Sequence, residues 1–166
     1  MKALITMTLA TLTGLAIRDV PEPPAPVSPL RGTWNLLAAD KILADGSRVR
    51  DYGNAPKGRL IVDAHGRYSL QIFKSERPRF ASAGKAGGSG DEFAAAVLGS
   101  STHYGTIESD AQQGVLRFRI EGASFPNWEG SVQQRSYTLE GNTLSYRVPP
   151  RPDGSIPVSV WLRLEE

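Results

Sequence analysis

The chain has 166 residues, with 19 Lys or Arg against 17 Asp or Glu, a formal charge of +2. That length suits one domain plus a short extension, large enough to bury a core without covalent staples. The absence of cysteine excludes disulfides, thiol catalysis and zinc–thiolate sites, and the near-balanced charge gives no electrostatic footprint for nucleic acid.

Residues 1–16 read as a signal peptide. Lys2 gives a short positive start, Ala3 to Ile17 carries no charge, and Gly14 and Ala16 are small residues at a spacing a signal peptidase accepts. This predicts a periplasmic or secreted mature protein with no integral membrane segment after processing, because the apolar run is short for a bilayer. Its four threonines (Thr6, Thr8, Thr11, Thr13) leave open a second reading, the N-terminal strand or helix of a cytoplasmic protein. Pro21, Pro23, Pro24, Pro26 and Pro29 then favour extended chain, so residues 17–30 read as a linker and residues 31–166 as the domain.

From Arg31 onward, short segments with strand character alternate with turn signals. The expected strands are Gly32–Asp40, a short stretch at Arg48–Tyr52, Arg59–Ala64, Arg67–Lys74, Ser101–Asp110, Val115–Glu121, Ser131–Glu140, Thr143–Val148 and Val158–Glu165. His65-Gly66 is a two-residue hairpin signal. In Arg67–Lys74, Tyr68, Leu70 and Ile72 alternate with polar residues at period two. Residues 75–90 form a long loop; its Gly84–Gly90 stretch lacks the spacing and preceding strand of a phosphate loop. Asp91–Leu98 is the one convincing helix, with Ser89 or Asp91 as its cap and Gly99 as its stop. Gly and Pro are plentiful (17 and 12) and well spread, which fits the many turns that about eight strands require. The fold class is all-β: an eight-stranded antiparallel up-and-down barrel with one short helix, which removes exposed edges. A two-sheet sandwich fits the same strand count.

Gly32-Thr33-Trp34 matches the Gly-x-Trp at the first strand of lipocalins. Tyr52–Leu60, Gly66–Gln71, Tyr104-Gly105-Thr106 and Ser124–Gly130 with Gln133 and Arg135 resemble the bacterial lipocalin-like domain family over Gly32–Glu165. The resemblance implies a barrel whose Trp34 plugs one end under an Arg from a late strand, for which Arg163 is placed. It departs at Phe118 and Arg119, where relatives often carry histidines; histidine-dependent chemistry is not carried over.

The face arithmetic of three successive strands supplies the candidate site. A five-residue link from Asp110 to Gly114 pairs Ser109 with Val115 and sets His103 opposite Glu121, so odd residues share one face. That face carries His103, Arg119 and Glu121, then Gln133, Arg135 and Tyr137, with Trp128 and Phe125 in the loop between them. The apolar set of the 115 strand lies instead on even positions, while Tyr137 and Leu139 are odd. Either a bulge near Gly122 or Gly130 reconciles the two strands, or the cavity is partly polar. The alternative is a dry apolar interior with the arginines in solvent.

If the odd face points inward, a buried Arg must be paired and Glu121 is the nearest carboxylate. A surplus Arg then prefers a ligand with an acidic oxygen. The predicted ligand-binding residues are therefore His103, Arg119, Glu121, Trp128, Gln133, Arg135 and Tyr137. Two distant histidines make no metal site, and no cofactor is expected. The expected function is binding of one small, partly apolar, possibly acidic molecule. The rivals are a cofactor-free isomerase or cyclase, with His103 and Glu121 moving protons, and a structural or partner-binding barrel with a filled interior.

Overall fold

The computed structural model of the protein describes residues 27–165. The expected signal peptide, 1–16, and most of the expected linker lie outside the described residues. The strands are β1 (Gly32–Ile42), β2 (Arg48–Val49), β3 (Lys57–Val62), β4 (Arg67–Phe73), β5 (Ser100–Asp110), β6 (Val115–Ala123), β7 (Val132–Glu140), β8 (Thr143–Arg147) and β9 (Ile156–Arg163). All pairings are antiparallel, and β1 pairs with β9 as well as with β3. The sheet therefore closes on itself as an eight-stranded up-and-down barrel, with β2 a two-residue ribbon on the edge of β1.

The helix α1 (Gly90–Leu98) has its N-terminus fixed by a capping box. The Ser89 hydroxyl accepts from the Glu92 amide at 3.3 Å, and a Glu92 carboxylate oxygen accepts from the Ser89 amide at 2.7 Å. Among the described residues, no helix is long and apolar enough to cross a membrane.

Inward positions follow period two, with one face of each strand apolar. β3 contributes Leu60 and Val62, β4 contributes Tyr68, Leu70 and Ile72, β6 contributes Leu116, Phe118 and Ile120, and β8 contributes Leu144 and Tyr146. One end of the barrel is sealed. There Trp34 is fully buried and donates its indole N–H to the Leu30 carbonyl at 2.9 Å. The Arg163 guanidinium lies 4.2 Å from the centre of the Trp34 ring, as expected, and also donates to the Pro29 carbonyl at 2.8 Å. Residues 28–30, expected to be linker, are thus part of the closure: Leu30 is 0% exposed and Ser28 donates its amide to Ala64.

The β5–β6 hairpin differs from the expected one by a single residue. Its turn is Ala111–Gly114, so Asp110 rather than Ser109 pairs with Val115. Odd residues of β5 consequently face even residues of β6, and Arg117, Arg119 and Glu121 turn away from the core. One step further along, Gly105 pairs with Ile120 while Tyr104 pairs with Gly122, leaving Glu121 as an extra residue in a bulge. Gly105 makes this possible. Its φ is +154°, and a Cβ there would lie 2.0 Å from the Arg119 carbonyl oxygen.

Two stability measurements check these packing assignments. Gly105→Ala is expected to cost more than about 2 kcal/mol, because both the backbone angle and the opposing strand resist a side chain. Leu30→Ala is expected to cost about 2–4 kcal/mol, the usual loss for a fully buried leucine. Urea titration reads both, and a wild-type midpoint for Leu30→Ala would remove residues 28–30 from the folded unit.

Candidate functional site

The end opposite Trp34 is open. It is ringed by the connections β2–β3, β4–β5, β6–β7 and β8–β9, and a cavity of about 690 Å³ runs down from it into the barrel. Ligand pockets commonly span about 300–1,000 Å³. Leu70 and Ile72 of β4 and Ala39 of β1 form much of the wall, with Val148, Pro157 and Val158 beside them. Tyr52, Trp128 and Arg151 stand on loops at the mouth.

Polar groups gather where β5 and β7 face the interior. Arg135 is 5% exposed. The β6–β7 register sets Leu116 opposite Arg135 and Phe118 opposite Gln133. This brings the guanidinium over the Phe118 ring at 4.1 Å and within 5.1 Å of the Tyr146 ring centre. Its Nη2 donates to Gln133 Oε1 at 2.8 Å and to His103 Nε2 at 3.3 Å. No Asp or Glu oxygen lies within 4 Å of it among the described residues. An arginine stays protonated even when burial disfavours its charge, as it does here. The interior therefore holds a cation without a counter-ion.

His103 beside it is neutral. Burial, with Arg135 adding repulsion, lowers its pKa to about 3. Arginine has donors only, so Nε2 of the ring accepts from it, and the ring proton sits on Nδ1. Nδ1–H then donates to the Tyr68 oxygen at 2.7 Å. Burial pushes the Tyr68 phenol up, so that group is neutral as well. At the mouth, the one carboxylate of Asp51 serves two cations: Arg151 at 2.7 Å and Lys41 at 3.5 Å. These partners hold Asp51 below the usual carboxylate range despite its burial. Among the described residues, no cluster of His, Asp and Glu is assembled as a metal site would require.

Of the predicted residues, His103, Trp128, Gln133 and Arg135 line the cavity. Trp128 meets the His103 ring edge to face at 6.1 Å. Tyr137 packs against the core but is not part of the cavity wall. Arg119 and Glu121 are exposed on the outer surface, where Arg119 pairs with Glu108 at 3.6 Å. The one-residue difference in turn length puts them there, and it separates Glu121 from His103, so the two do not form a proton-transfer pair. Sequence reading did not select Tyr146, Tyr68, Leu70 or Ile72 for the site, although the period-two alternation of β4 and β8 marks all four as inward.

The displaced His103 pKa gives a defined pH dependence. Below about pH 6.5 the unfolded chain protonates this histidine while the folded chain does not, until about pH 3. The contribution is therefore fully present above pH 6.5 and is lost as pH falls through that window. Wild type is expected to lose about 2–4 kcal/mol more than His103→Gln between pH 7 and pH 4, read from urea midpoints. Parallel pH profiles for the two proteins would show that His103 is charged in the folded state.

Comparison with known proteins agrees with the barrel. No curated protein matches the chain. A family of lipocalin-like domains matches residues 31–164, nearly all of the described barrel. The chain belongs to the lipocalin-like domain family.

Proposed function

We propose that the barrel binds one small, partly apolar acid, with the acidic oxygen on Arg135 and the apolar body along Leu70, Ile72, Val148 and Val158. The fold of the family suits small-molecule binding in general. The observation that carries the narrower reading is the uncompensated guanidinium beside a cavity of about 690 Å³. Transferring an arginine from water into a protein interior is costly unless a negative group joins it. Here its protein partners are an amide, a neutral imidazole and two aromatic faces. An anionic oxygen entering the cavity completes the set with charge-assisted hydrogen bonds. The open volume speaks against a barrel with a filled interior. The reading of residues 1–16 as a signal peptide adds the proposal that binding takes place outside the cytoplasm, which N-terminal sequencing of the mature protein tests.

Thermal melting with matched ligands tests the binding mode. Decanoate, cinnamate and 2-naphthoate are each compared with their neutral methyl esters. At least one acid is expected to raise the melting temperature more than its ester, because binding to the folded state alone stabilises it. Arg135→Met, which keeps the stem and removes the charge, is expected to abolish that preference, a loss of about 10–100-fold in affinity. Equal effects of acids and esters on wild type would overturn the acid reading, and no stabilisation by any of the six compounds would overturn binding itself.

A further inference from the structure

Four buried side-chain polar atoms lack a hydrogen-bond partner among the described residues: Arg135 Nε, Tyr146 Oη, Trp161 Nε1 and Asp40 Oδ1. The first three belong to side chains that touch in sequence. The Arg135 guanidinium lies over the Tyr146 ring, and the Tyr146 ring stacks on that of Trp161 with centroids 6.5 Å apart. All three atoms can donate: a guanidinium N–H, a phenol O–H and an indole N–H. Among the described residues none of the three has an acceptor at hydrogen-bond distance; the Tyr146 oxygen, which can accept as well as donate, only helps keep the neighbouring Arg135 guanidinium charged. Buried polar groups in folded proteins are nearly always satisfied, and leaving a donor unpaired is costly. Three unpaired donors in one contiguous stack point to an acceptor supplied from outside the chain. Two of the three, Arg135 and Tyr146, line the cavity, so that is the route by which it arrives.

We infer that Arg135 and Tyr146 together form a paired-donor site for a two-oxygen acid, a carboxylate in preference to an alcohol, a phenol or an enol. This deepens the binding mode proposed above and rests on it. One oxygen takes the guanidinium and the other takes the Tyr146 hydroxyl, which is the specificity-determining contact. Tyr146 is suited to this because its ring is fixed on three sides, by Phe118, Arg135 and Trp161. Only the direction of its O–H remains free. At 1% exposure the side chain has no other route to solvent hydrogen bonding. A ligand with one acidic oxygen satisfies the arginine and leaves the phenol orphaned, whereas a carboxylate satisfies both.

Tyr146→Phe separates this role from a structural one. Apart from the nearby charge of Arg135, the hydroxyl meets no hydrogen-bond partner among the described residues, so its removal is expected to leave the urea midpoint of the ligand-free protein unchanged or higher. Affinity for the three carboxylates, measured by titration calorimetry, is expected to fall by about tenfold or more, the usual effect of losing a hydrogen bond to a charged group. Affinity for decanol, cinnamyl alcohol and 2-naphthol is expected to stay at its wild-type level. Loss of stability in Tyr146→Phe would show that the hydroxyl has a partner within the barrel and would overturn the inference. So would unchanged carboxylate affinity in Tyr146→Phe when Arg135→Met has lost it, and that outcome leaves the Arg135 reading standing. If Arg135→Met binds carboxylates as wild type does, both fall together.

Discussion

The feature on which the interior depends is a buried guanidinium that meets no carboxylate among the described residues. Its charge is fixed, and its surroundings respond to it. His103 is kept neutral by burial and by repulsion from Arg135. The tautomer of that ring follows from the donor-only chemistry of arginine, and the tautomer in turn makes the Tyr68 oxygen an acceptor. Phe118 and Tyr146 offer their negative ring faces. Each contact eases the desolvation of the cation without neutralising it. Both carboxylates on the cavity wall are already engaged, Asp51 by Arg151 and Lys41 and Asp40 by Arg48 at 2.7 Å. The field inside the barrel thus favours negative charge.

That arrangement is a product of strand register. A sheet with period-two side chains reverses its faces when one strand slips by a single residue. The four-residue turn after Asp110 puts Phe118 inward and Arg119 outward, and the β6–β7 pairing then lays Phe118 beside Gln133 and below Arg135. Gly105 supports this register because the chain at that point passes too close to the Arg119 carbonyl for any side chain. A residue on the β4–β5–β6 wall with no side chain of its own thus helps decide which arginine is buried.

Most of the architecture was legible in the sequence for physical reasons. Alternation of apolar and polar residues marks strands, and Gly-containing turns separate them, so the strand count and the short helix followed from local signals, while the Trp34–Arg163 contact was implied by the family resemblance that Gly32-Thr33-Trp34 carries. Turn length is not a local signal of that kind. Ala111–Gly114 and a five-residue link look alike in composition, yet they send Arg119 and Glu121 to opposite faces. Arg135, His103 and Gln133 were selected on parity and do line the cavity, because β5 and β7 both present odd residues inward, and Trp128, selected as a loop residue over one mouth, lines it too. The step between them was wrong in β6 alone. Tyr146 was passed over although its alternation with Ser145 and Arg147 was visible, because depth along a closed barrel depends on the strand across from it, and one sequence does not contain that information. The docking of Leu30 was hidden in the same way: five nearby prolines argue for extended chain, and extended chain packs across a barrel end as readily as it leaves it.

The two ends of the barrel then fix how a ligand would sit. The Trp34 end is sealed by an indole, a guanidinium and the chain at 28–31, so entry is through the loops at the other end. In the proposed mode an acid passes Tyr52 and Trp128 with its charged end leading, because Arg135 lies beyond them and Leu70, Ile72, Val148 and Val158 offer a surface for the apolar body. The acid sheds its water on the way, which opposes binding. The arginine sheds none at that moment, since its desolvation was incurred when the barrel folded. His103, Gln133 and the two rings already hold it in place, so little side-chain freedom remains to be lost. A site that is strained by an unmatched charge before the ligand arrives gains more from that ligand than a hydrated surface arginine would. By the same reasoning, in the proposed mode a neutral ligand of equal shape, which fills the apolar wall but leaves the charge unmatched, is expected to be the weaker partner.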